Sequence, residues 1–186
     1  MLTQVFRAGW GWAAVAVSPQ GVRAVVLPRP TREEAQAGLD RELGACPRQA
    51  AASAPGPSPV LDAVRDALCR YLEGRRVEFP FPLDLSGFTP FQRKVLELTR
   101  TIPYGEVRSY GWLARGAGCP GGARAVGQVM RRNPVAIVVP CHRVVGSGGR
   151  LGGYSGGLGR KVQLLKLEGV EVSGGRVRVS KGREDR

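Results

Sequence analysis

The sequence predicts an α+β protein with two modules, a small mixed module followed by a mainly helical one. Residues 1–30 contain apolar stretches interrupted at Ser18-Pro19-Gln20-Gly21, a pattern typical of short strands joined by turns. After residue 88 the pattern changes to a succession of capped helices. The extended segment FPFPLD at 79–84 indicates a linker. We therefore predict a first module at 1–78, a linker at 79–87, a second module at 88–172, and a hairpin or tail at 173–186.

In the first module, two helix patterns follow the strands. Thr31, with Glu34 three positions later, is a helix-start signal. Residues 50–59 are rich in alanine, proline and serine and indicate a surface loop. Residues 60–72 have apolar positions at helical spacing, which favours a second helix stopped by Gly74. No side chain in this module indicates chemistry.

The second module contains four helix patterns. Thr89-Pro90 begins the first, Ser109 can cap a short second helix, residues 122–131 form the third, and the last ends at Glu168-Gly169. A hairpin around Gly174-Gly175 follows. Two short helices joined by a glycine-rich turn favour a helix-turn-helix.

The third helix places an arginine among small residues. Ala123, Ala125 and Gly127 surround Arg124. Small side chains allow a helix backbone to approach another surface closely, and tight packing inside the protein would explain them equally well. The isolated arginine is suited to enter a groove.

Charge is divided unevenly along the chain. Residues 1–85 carry 10 Lys+Arg against 9 Asp+Glu, whereas residues 86–186 carry 18 against 6, so nearly all of the formal +13 lies in the second half. This asymmetry is typical of proteins that bind a polyanion, although a solvated arginine-rich surface would give the same balance. No apolar run is long enough to span a membrane.

Cysteine spacing indicates free thiols. Neither a disulfide framework nor a zinc site is suggested, because the spacing is irregular and the chain has one histidine. We expect a reducing compartment. The four cysteines are Cys46, Cys69, Cys119 and Cys141.

The segment around Cys141 is the strongest candidate for a functional site. The apolar run at 135–139 is typical of a strand, and a glycine-rich loop follows Cys141, which would present the thiol at the rim of a pocket. His142 could activate the thiol, but neighbours on an extended chain point to opposite sides, so a bridging water is the simpler link. A carboxylate behind the imidazole would complete a base relay. A buried thiol beside a capping histidine is the structural alternative.

The sequence PCHRV at 140–144 resembles the signature of the O6-alkylguanine-DNA alkyltransferases, which are DNA repair proteins. The similarity covers residues 85–170, in the family's order: FQRKV (91–95), IPYGE (102–106), SY (109–110), ARAVG (123–127), RNP (132–134) and GYSGGL (153–158). The resemblance implies a ribonuclease H-like N-terminal domain. It also implies a C-terminal winged helix-turn-helix-like domain with the active-site cysteine.

The resemblance implies a reaction for Cys141, which matches the cysteine that accepts the alkyl group of O6-alkylguanine. O4-methylthymine is expected to be a poorer substrate, and each protein molecule is expected to react once. His142 matches the base that takes the thiol proton through a water, and Glu168 matches the carboxylate that orients the histidine. Asn133 matches the asparagine that braces the turn and the recognition helix. Arg124 matches the arginine that fills the gap left by the extruded nucleotide, whose extrusion costs a few kcal/mol.

The resemblance also assigns binding positions. Those expected at the substrate are Tyr110, Met130, Val144, Val145, Tyr154, Ser155 and Gly156. Those expected at DNA are Tyr110, Ala123, Arg124, Ala125, Gly127, Arg131 and Ser147. The expected partner is double-stranded DNA containing O6-alkylguanine, bound through the minor groove by a monomer without a cofactor or a membrane. The expected location is the cytoplasm, or the nucleus in a eukaryote.

Three features depart from the family. Gly111-Trp112 replaces a more usual polar pair, and Gly121-Gly122 stands where alanines are commoner. The N-terminal half lacks the cysteines and histidine that bind zinc in some members, so we predict no metal. Alkyltransferase-like proteins lack the acceptor cysteine, which this chain has. Two other functions stay open, namely a cysteine hydrolase using Cys141, His142 and Glu168, and a DNA-binding regulator without catalysis.

Overall fold

The computed structural model describes residues 1–44 and 58–177, which form a mixed α/β structure in two compact units. The first unit comprises Met1–Gly87 and Pro134–Val138, and the second comprises Phe88–Asn133 and Val139–Arg186. Cys46, residues 50–57 of the predicted loop, and the tail beyond residue 177 lie outside the described residues.

A three-stranded antiparallel sheet forms the centre of the first unit. Its strands β1 (Leu2–Ala8), β2 (Gly11–Ser18) and β3 (Gly21–Arg29) lie in chain order, with β2 in the middle. This confirms the predicted strands and the turn before Gly21. A side chain at Gly21 would collide with the backbone carbonyl of Pro82, and its φ of +138° also favours glycine, so this turn requires one.

Two helices pack on this sheet, α1 (Arg32–Gly44) and α2 (Pro59–Leu72). Both predicted helix starts are capped, since Thr31 Oγ1 accepts from the Glu34 N–H at 3.2 Å and Ser58 Oγ accepts from the Leu61 N–H at 3.4 Å. The buried face of α1 joins the sheet residues in one apolar cluster. This cluster contains Ala14, Ala16, Ala24, Val26, Ala35 and Leu39.

The segment expected to be a linker pairs with β3, because its Leu83 forms a parallel bridge with Val22. Val22 donates its N–H to Pro82 O at 2.8 Å and accepts from the Asp84 N–H at 3.0 Å. The buried carboxylate of Asp84 accepts from Ser18 Oγ at 2.8 Å, from the N–H and hydroxyl of Ser86, and lies 3.5 Å from Arg23. This network fixes the segment against the sheet.

The strand predicted over residues 135–139 is wrong. Val135 makes one isolated parallel bridge with Val25, whose N–H donates to Pro134 O at 2.8 Å. The chain then turns at Ile137, a buried residue with φ of +72°. A β-branched residue in this left-handed region costs about 1–3 kcal/mol, and the dihedral interrupts any continuous strand.

The second unit contains α3 (Pro90–Arg100), α4 (Tyr110–Gly116), α5 (Ala123–Arg131) and α6 (Leu158–Leu167), and the first three pack against one another. These are the four predicted helices. Thr89 and Gln92 form a capping box at α3, and Ser109 Oγ accepts from the Trp112 N–H at 3.1 Å. Short strands complete the unit. These are the parallel pair β4 (Arg108–Ser109) and β5 (Val144–Val145), and the hairpin β6 (Val172–Ser173) and β7 (Arg176–Val177), which was predicted.

Within the described ranges, no helix combines the length and apolar character needed to cross a bilayer.

Replacing Asp84 should destabilise the protein in a pH-dependent way. Burial alone would raise the pKa of Asp84, but the hydrogen bonds from Ser86 and Ser18 and the charge of Arg23 together lower it. A carboxyl with a lowered pKa stabilises the folded state above its unfolded pKa of about 3.9, and this contribution is lost as the pH falls through the folded value. Asp84→Asn should therefore cost about 1–3 kcal/mol at pH 7, and less near pH 3.

Urea unfolding at the two pH values measures this difference. Asp66→Asn is the matched control, because Asp66 pairs with Arg65 at an exposed site and should contribute less than about 1 kcal/mol. An equal loss for Asp84→Asn at both pH values would contradict the prediction.

Candidate active site

Cys141 begins a short 3₁₀ helix, Cys141–Arg143, directly after a tight turn. Pro140 has φ of −79° and ψ of 64°, the geometry of an inverse γ-turn, and the Cys141 N–H donates to Val139 O at 2.8 Å. Asn133 Nδ2 donates to the same carbonyl at 2.9 Å. The chain therefore turns at Cys141 and His142, so the opposite orientation expected of neighbours on an extended chain does not apply to these two residues.

The thiol of Cys141 borders a cavity of about 480 Å³. Helix α5, the loop at 153–155 and the ring of Tyr110 also line it. The lining residues are Tyr110, Ala123, Arg124, Gly127, Gln128, Met130, Arg131, Cys141, Gly153, Tyr154 and Ser155. A buried thiol thus shares one cavity with the exposed arginine of α5.

Cys141 is a thiol rather than a thiolate at neutral pH. Burial raises its pKa, whereas hydrogen bonds from Asn133 and Tyr154 and the charge of Lys161 act in the opposite direction without overcoming it. Only the thiolate is an effective nucleophile, so a reaction at this sulfur needs a base to take the proton.

His142 is suited to be that base. It is fully buried, and burial lowers its pKa despite the opposing effect of Glu168, so the imidazole is neutral at pH 7. His142 Nε2 lies 2.8 Å from Glu168 Oε1. A carboxylate only accepts hydrogen bonds, so Nε2 carries the proton and Nδ1 holds the lone pair that can accept another.

Glu168 follows α6 and collects several donors in the interior. Arg143 donates to both carboxylate oxygens, with its Nε 2.9 Å from Oε2 and its Nη2 2.8 Å from Oε1, and the Gly105 N–H donates to Oε2 at 3.1 Å. Burial alone would raise the pKa of Glu168, but His142 and Arg143 lower it to about 2. Arg143 also donates to Ile102 O at 2.6 Å. The carboxylate therefore stays charged and keeps His142 in one tautomer.

Lys161 is a buried cation beside this site. Its Nζ donates to Val144 O and to Leu151 O, each at 2.5 Å. It therefore connects β5 to Leu151, which lies within the glycine-rich loop. Burial lowers its pKa to about 8, and the charge of Cys141 opposes this shift. At neutral pH the ammonium is thus largely charged and favours the thiolate form of Cys141.

Tyr110 lies between α5 and the glycine-rich loop. Its hydroxyl is 3.4 Å from Gly153 O, and a Cβ at Gly152 would be 3.2 Å from its ring. The φ of Gly152 is +66°, so this close approach requires glycine. Burial, followed by the charge of Cys141, raises the pKa of Tyr110, which therefore remains a proton donor.

The structure brings most of the predicted site residues together. Cys141, Tyr110, Met130, Tyr154 and Ser155 share the cavity, as do four of the α5 positions expected at DNA. The others lie outside its lining. Val144 and Val145 are buried in β5, Gly156 and Ala125 are exposed, and Ser147 belongs to an exposed 3₁₀ turn, Ser147–Gly149. No group of three or more His, Cys, Asp or Glu side chains suited to a metal is found in residues 1–44 and 58–177.

Sequence reasoning missed Gln128, Gly153, Arg143 and Lys161. Gln128 lies four positions after Arg124, so the helical repeat could have identified it as a residue on the same face. Lys161 carries no such signal, and Arg143 carries only that of its place in the PCHRV motif at 140–144. A charged residue is expected at the surface by default, and only the fold shows that these two are buried.

Comparison with known proteins identifies relatives of this chain. The family model described as 6-O-methylguanine DNA methyltransferase, DNA binding domain, matches residues 90–170. The methylated-DNA–protein-cysteine methyltransferase of Mycobacterium leprae is 56% identical over 102 residues, or 55% of this chain and 61% of that protein. The Mycobacterium bovis protein of the same name is 53% identical over 114 residues, or 61% of this chain and 68% of that protein.

Solved structures extend the similarity over both units. The crystal structure of Mycobacterium tuberculosis OGT in complex with DNA superposes with a TM-score of 0.69 at 35% identity, covering 89% of this chain and 91% of that one. The O6-methylguanine-DNA methyltransferase of Pyrococcus kodakaraensis gives 0.63 at 35% identity, covering 90% and 98%.

The fold and the site together define a protein with a buried cysteine, a histidine that follows it in the chain and is hydrogen-bonded to a carboxylate, and a cavity that the cysteine shares with an arginine-bearing helix. The chain belongs to the methylated-DNA–protein-cysteine methyltransferase family.

Removing the charge of Glu168 should destabilise the protein strongly. Glu168→Gln leaves the buried Arg143 without its anion, and breaking a buried pair in this way costs about 3–5 kcal/mol. Because the folded pKa of Glu168 is about 2, the contribution is complete above the unfolded value of about 4.3 and disappears as the pH falls towards 2.

Glu106→Gln provides the control, since Glu106 pairs with Arg108 at a partly exposed site and should cost less than about 1 kcal/mol. Chemical unfolding of both variants at pH 7 measures the difference. Equal stabilities would show that the buried network does not support the fold.

Proposed function

We propose that this protein repairs DNA by transferring the alkyl group of O6-alkylguanine irreversibly to Cys141, once per molecule. The observation that supports this most directly is the buried Cys141 thiol in a cavity also lined by Arg124, with the relay from His142 to Glu168 next to it in the chain. Methylated-DNA–protein-cysteine methyltransferases are the relatives of this chain, and OGT has been crystallised with DNA.

The reaction is a direct displacement. The sulfur of Cys141 forms a bond to the alkyl carbon while the bond from that carbon to O6 of guanine breaks. The thiol proton passes through a water to Nδ1 of His142, and the departing guanine takes a proton from the hydroxyl of Tyr110 or from solvent. The product is a thioether, which no group at the site is placed to hydrolyse, so the protein acts once.

Helix α5 would bind the DNA rather than take part in the displacement. A base inside a duplex cannot reach a buried thiol, so the nucleotide must leave the stack, and Arg124 would occupy the space that it vacates. Small residues next to Arg124 permit close approach of the helix to a minor groove, where little sequence information is available. This suits a protein that must act in any sequence.

The finer architecture forms part of the proposal. We assign a ribonuclease H-like fold to a domain at 1–78 and a winged helix-turn-helix to residues 88–172, with α4 and α5 as its two helices. A linker at 79–87, held against the sheet of the first unit, joins them, and a hairpin or tail follows at 173–186. Val144, Val145, Gly156 and Ser147 keep the binding roles named above, and Asn133 keeps its role of bracing the turn. We expect a monomer without metal, in the cytoplasm (or the nucleus of a eukaryote), where the thiol stays reduced.

Intact mass with peptide mapping tests the transfer. After incubation with a duplex containing O6-methylguanine, we expect one added methyl group on Cys141 and saturation at one per molecule. Cys141→Ala should gain no mass yet still bind the duplex, whereas Cys119→Ala, which removes a half-buried cysteine outside the cavity lining, should react normally. Repair of many lesions per molecule would favour a cysteine hydrolase instead, and unchanged mass with lesion binding would favour a regulator.

Arg124→Ala should separate nucleotide extrusion from chemistry. Because the arginine stabilises the extruded state, transfer from duplex DNA should slow by roughly 10- to 100-fold, corresponding to a few kcal/mol of unstacking. Transfer from free O6-methylguanine base, which needs no extrusion, should be unchanged. Single-turnover rates on the two substrates measure this, with Arg32→Ala in α1 as a control of equal charge change. A parallel loss on both substrates would mean that Arg124 shapes the cavity instead.

A further inference from the structure

Two arginines of the second unit face each other outside the cavity. Arg150 and Arg176 form an isolated antiparallel bridge, which connects the glycine-rich loop (residues 146–157) to β7. Directly opposed residues in such a pair lie on the same face, with Cβ atoms about 4.5–5.5 Å apart. Their neighbours Leu151 and Val177 are buried in one apolar cluster, so both arginine side chains are on the exposed side.

This arrangement is electrostatically unfavourable in isolation. Like charges directly opposite each other in a sheet are destabilising. In residues 1–44 and 58–177 no carboxylate forms an ion pair with either guanidinium. Glu171 is the one acidic residue in the stretches 144–160 and 170–177, which also carry Arg160. An anion placed between Arg150 and Arg176 would turn this repulsion into attraction.

The two guanidinium groups are held near one loop. Arg150 donates to the carbonyl of Ser147 at 3.4 Å and to its hydroxyl at 3.3 Å, and Arg176 donates to Gly148 O at 3.2 Å. A guanidinium has five N–H donors, so each side chain keeps donors for a ligand. Planar, forked donors of this kind match the oxygens of a phosphate.

We propose that Arg150 and Arg176 form a phosphate-binding surface for the DNA backbone, separate from the contacts of α5. This rests on the proposed function. Gly153, Tyr154 and Ser155 of the cavity follow Arg150 within five positions of the chain, so a duplex whose nucleotide occupies the cavity passes close to this surface. Backbone contacts of this type position a duplex without reading its sequence.

Binding to undamaged duplex DNA tests the surface, because it needs neither extrusion nor transfer. Arg176→Gln and Arg150→Gln should each weaken binding by roughly three- to tenfold at ~0.1 M salt, and should reduce the slope of log K against log salt by about 1. Arg32→Gln removes the same charge from an exposed site at the start of α1 and should leave the slope unchanged. Arg176→Lys, which keeps the charge, should recover most of the affinity.

Two further measurements separate this surface from folding and from the reaction. Without DNA, Arg176→Gln should melt at the same temperature as the parent or above it at low salt, since a like-charge contact has been removed. Methyl transfer from free O6-methylguanine base should be unchanged in both glutamine variants. Loss of that transfer in the parent protein would refute the proposed function, whereas the salt slopes test the surface itself.

Three results would overturn the inference. If Arg176→Gln and Arg32→Gln had the same affinity and salt slope, Arg176 would affect DNA binding only through the net charge of the protein. A lower melting temperature for Arg176→Gln would show that the pair serves the fold. Binding to anionic phospholipid vesicles that persists in excess duplex and is lost in the variants would assign the surface to a membrane.

Discussion

The buried carboxylate of Glu168 is the interaction on which the site depends. It accepts from His142, from Arg143 and from the backbone of Gly105. The 3₁₀ helix, the turn at Gly105 and the end of α6 therefore meet at one charged group. An ion in the interior is costly unless several donors compensate it, and here they do. The same contacts that stabilise this charge select the His142 tautomer and fix the 3₁₀ helix that carries Cys141. Stability and chemistry therefore share the same hydrogen bonds.

Burial shifts the pKa values of the acidic and the basic groups around the cavity in opposite directions. It raises the pKa of Cys141 and Tyr110, lowers that of His142, and lowers that of Lys161 to about 8. The thiol consequently keeps its proton in the resting protein, the imidazole is neutral with its one proton on Nε2, and the phenol also retains its proton. A sulfur that became a thiolate too readily would be exposed to oxidation and to unspecific alkylation. For a protein that acts once, as proposed above, a nucleophile activated mainly when a substrate is in place is an advantage.

Most elements of the fold were predictable from local patterns. The caps at Thr31, Thr89 and Ser109 and the turns before Gly21 and at Gly174-Gly175 each depend on residues within four positions, which is the range that sequence reasoning covers. The failure at residues 135–139 has a physical cause. Five apolar residues resemble a strand, but whether Ile137 adopts a left-handed dihedral depends on the tertiary structure around it. Cys141, His142 and Glu168 were identified through the family resemblance, whereas the buried charges of Arg143 and Lys161 required coordinates.

The five residues of Pro134–Val138 have a consequence for how the protein is made. They belong to the first unit, in which Val135 bridges Val25 of β3, although they are synthesised after α3, α4 and α5. Domains usually fold in order as the chain leaves the ribosome, the N-terminal one first. Here the N-terminal unit must wait for a segment from beyond the middle of the chain before it is complete. Cys141 follows this segment by three positions, so final closure of the first unit and assembly of the site are neighbouring events in biosynthesis.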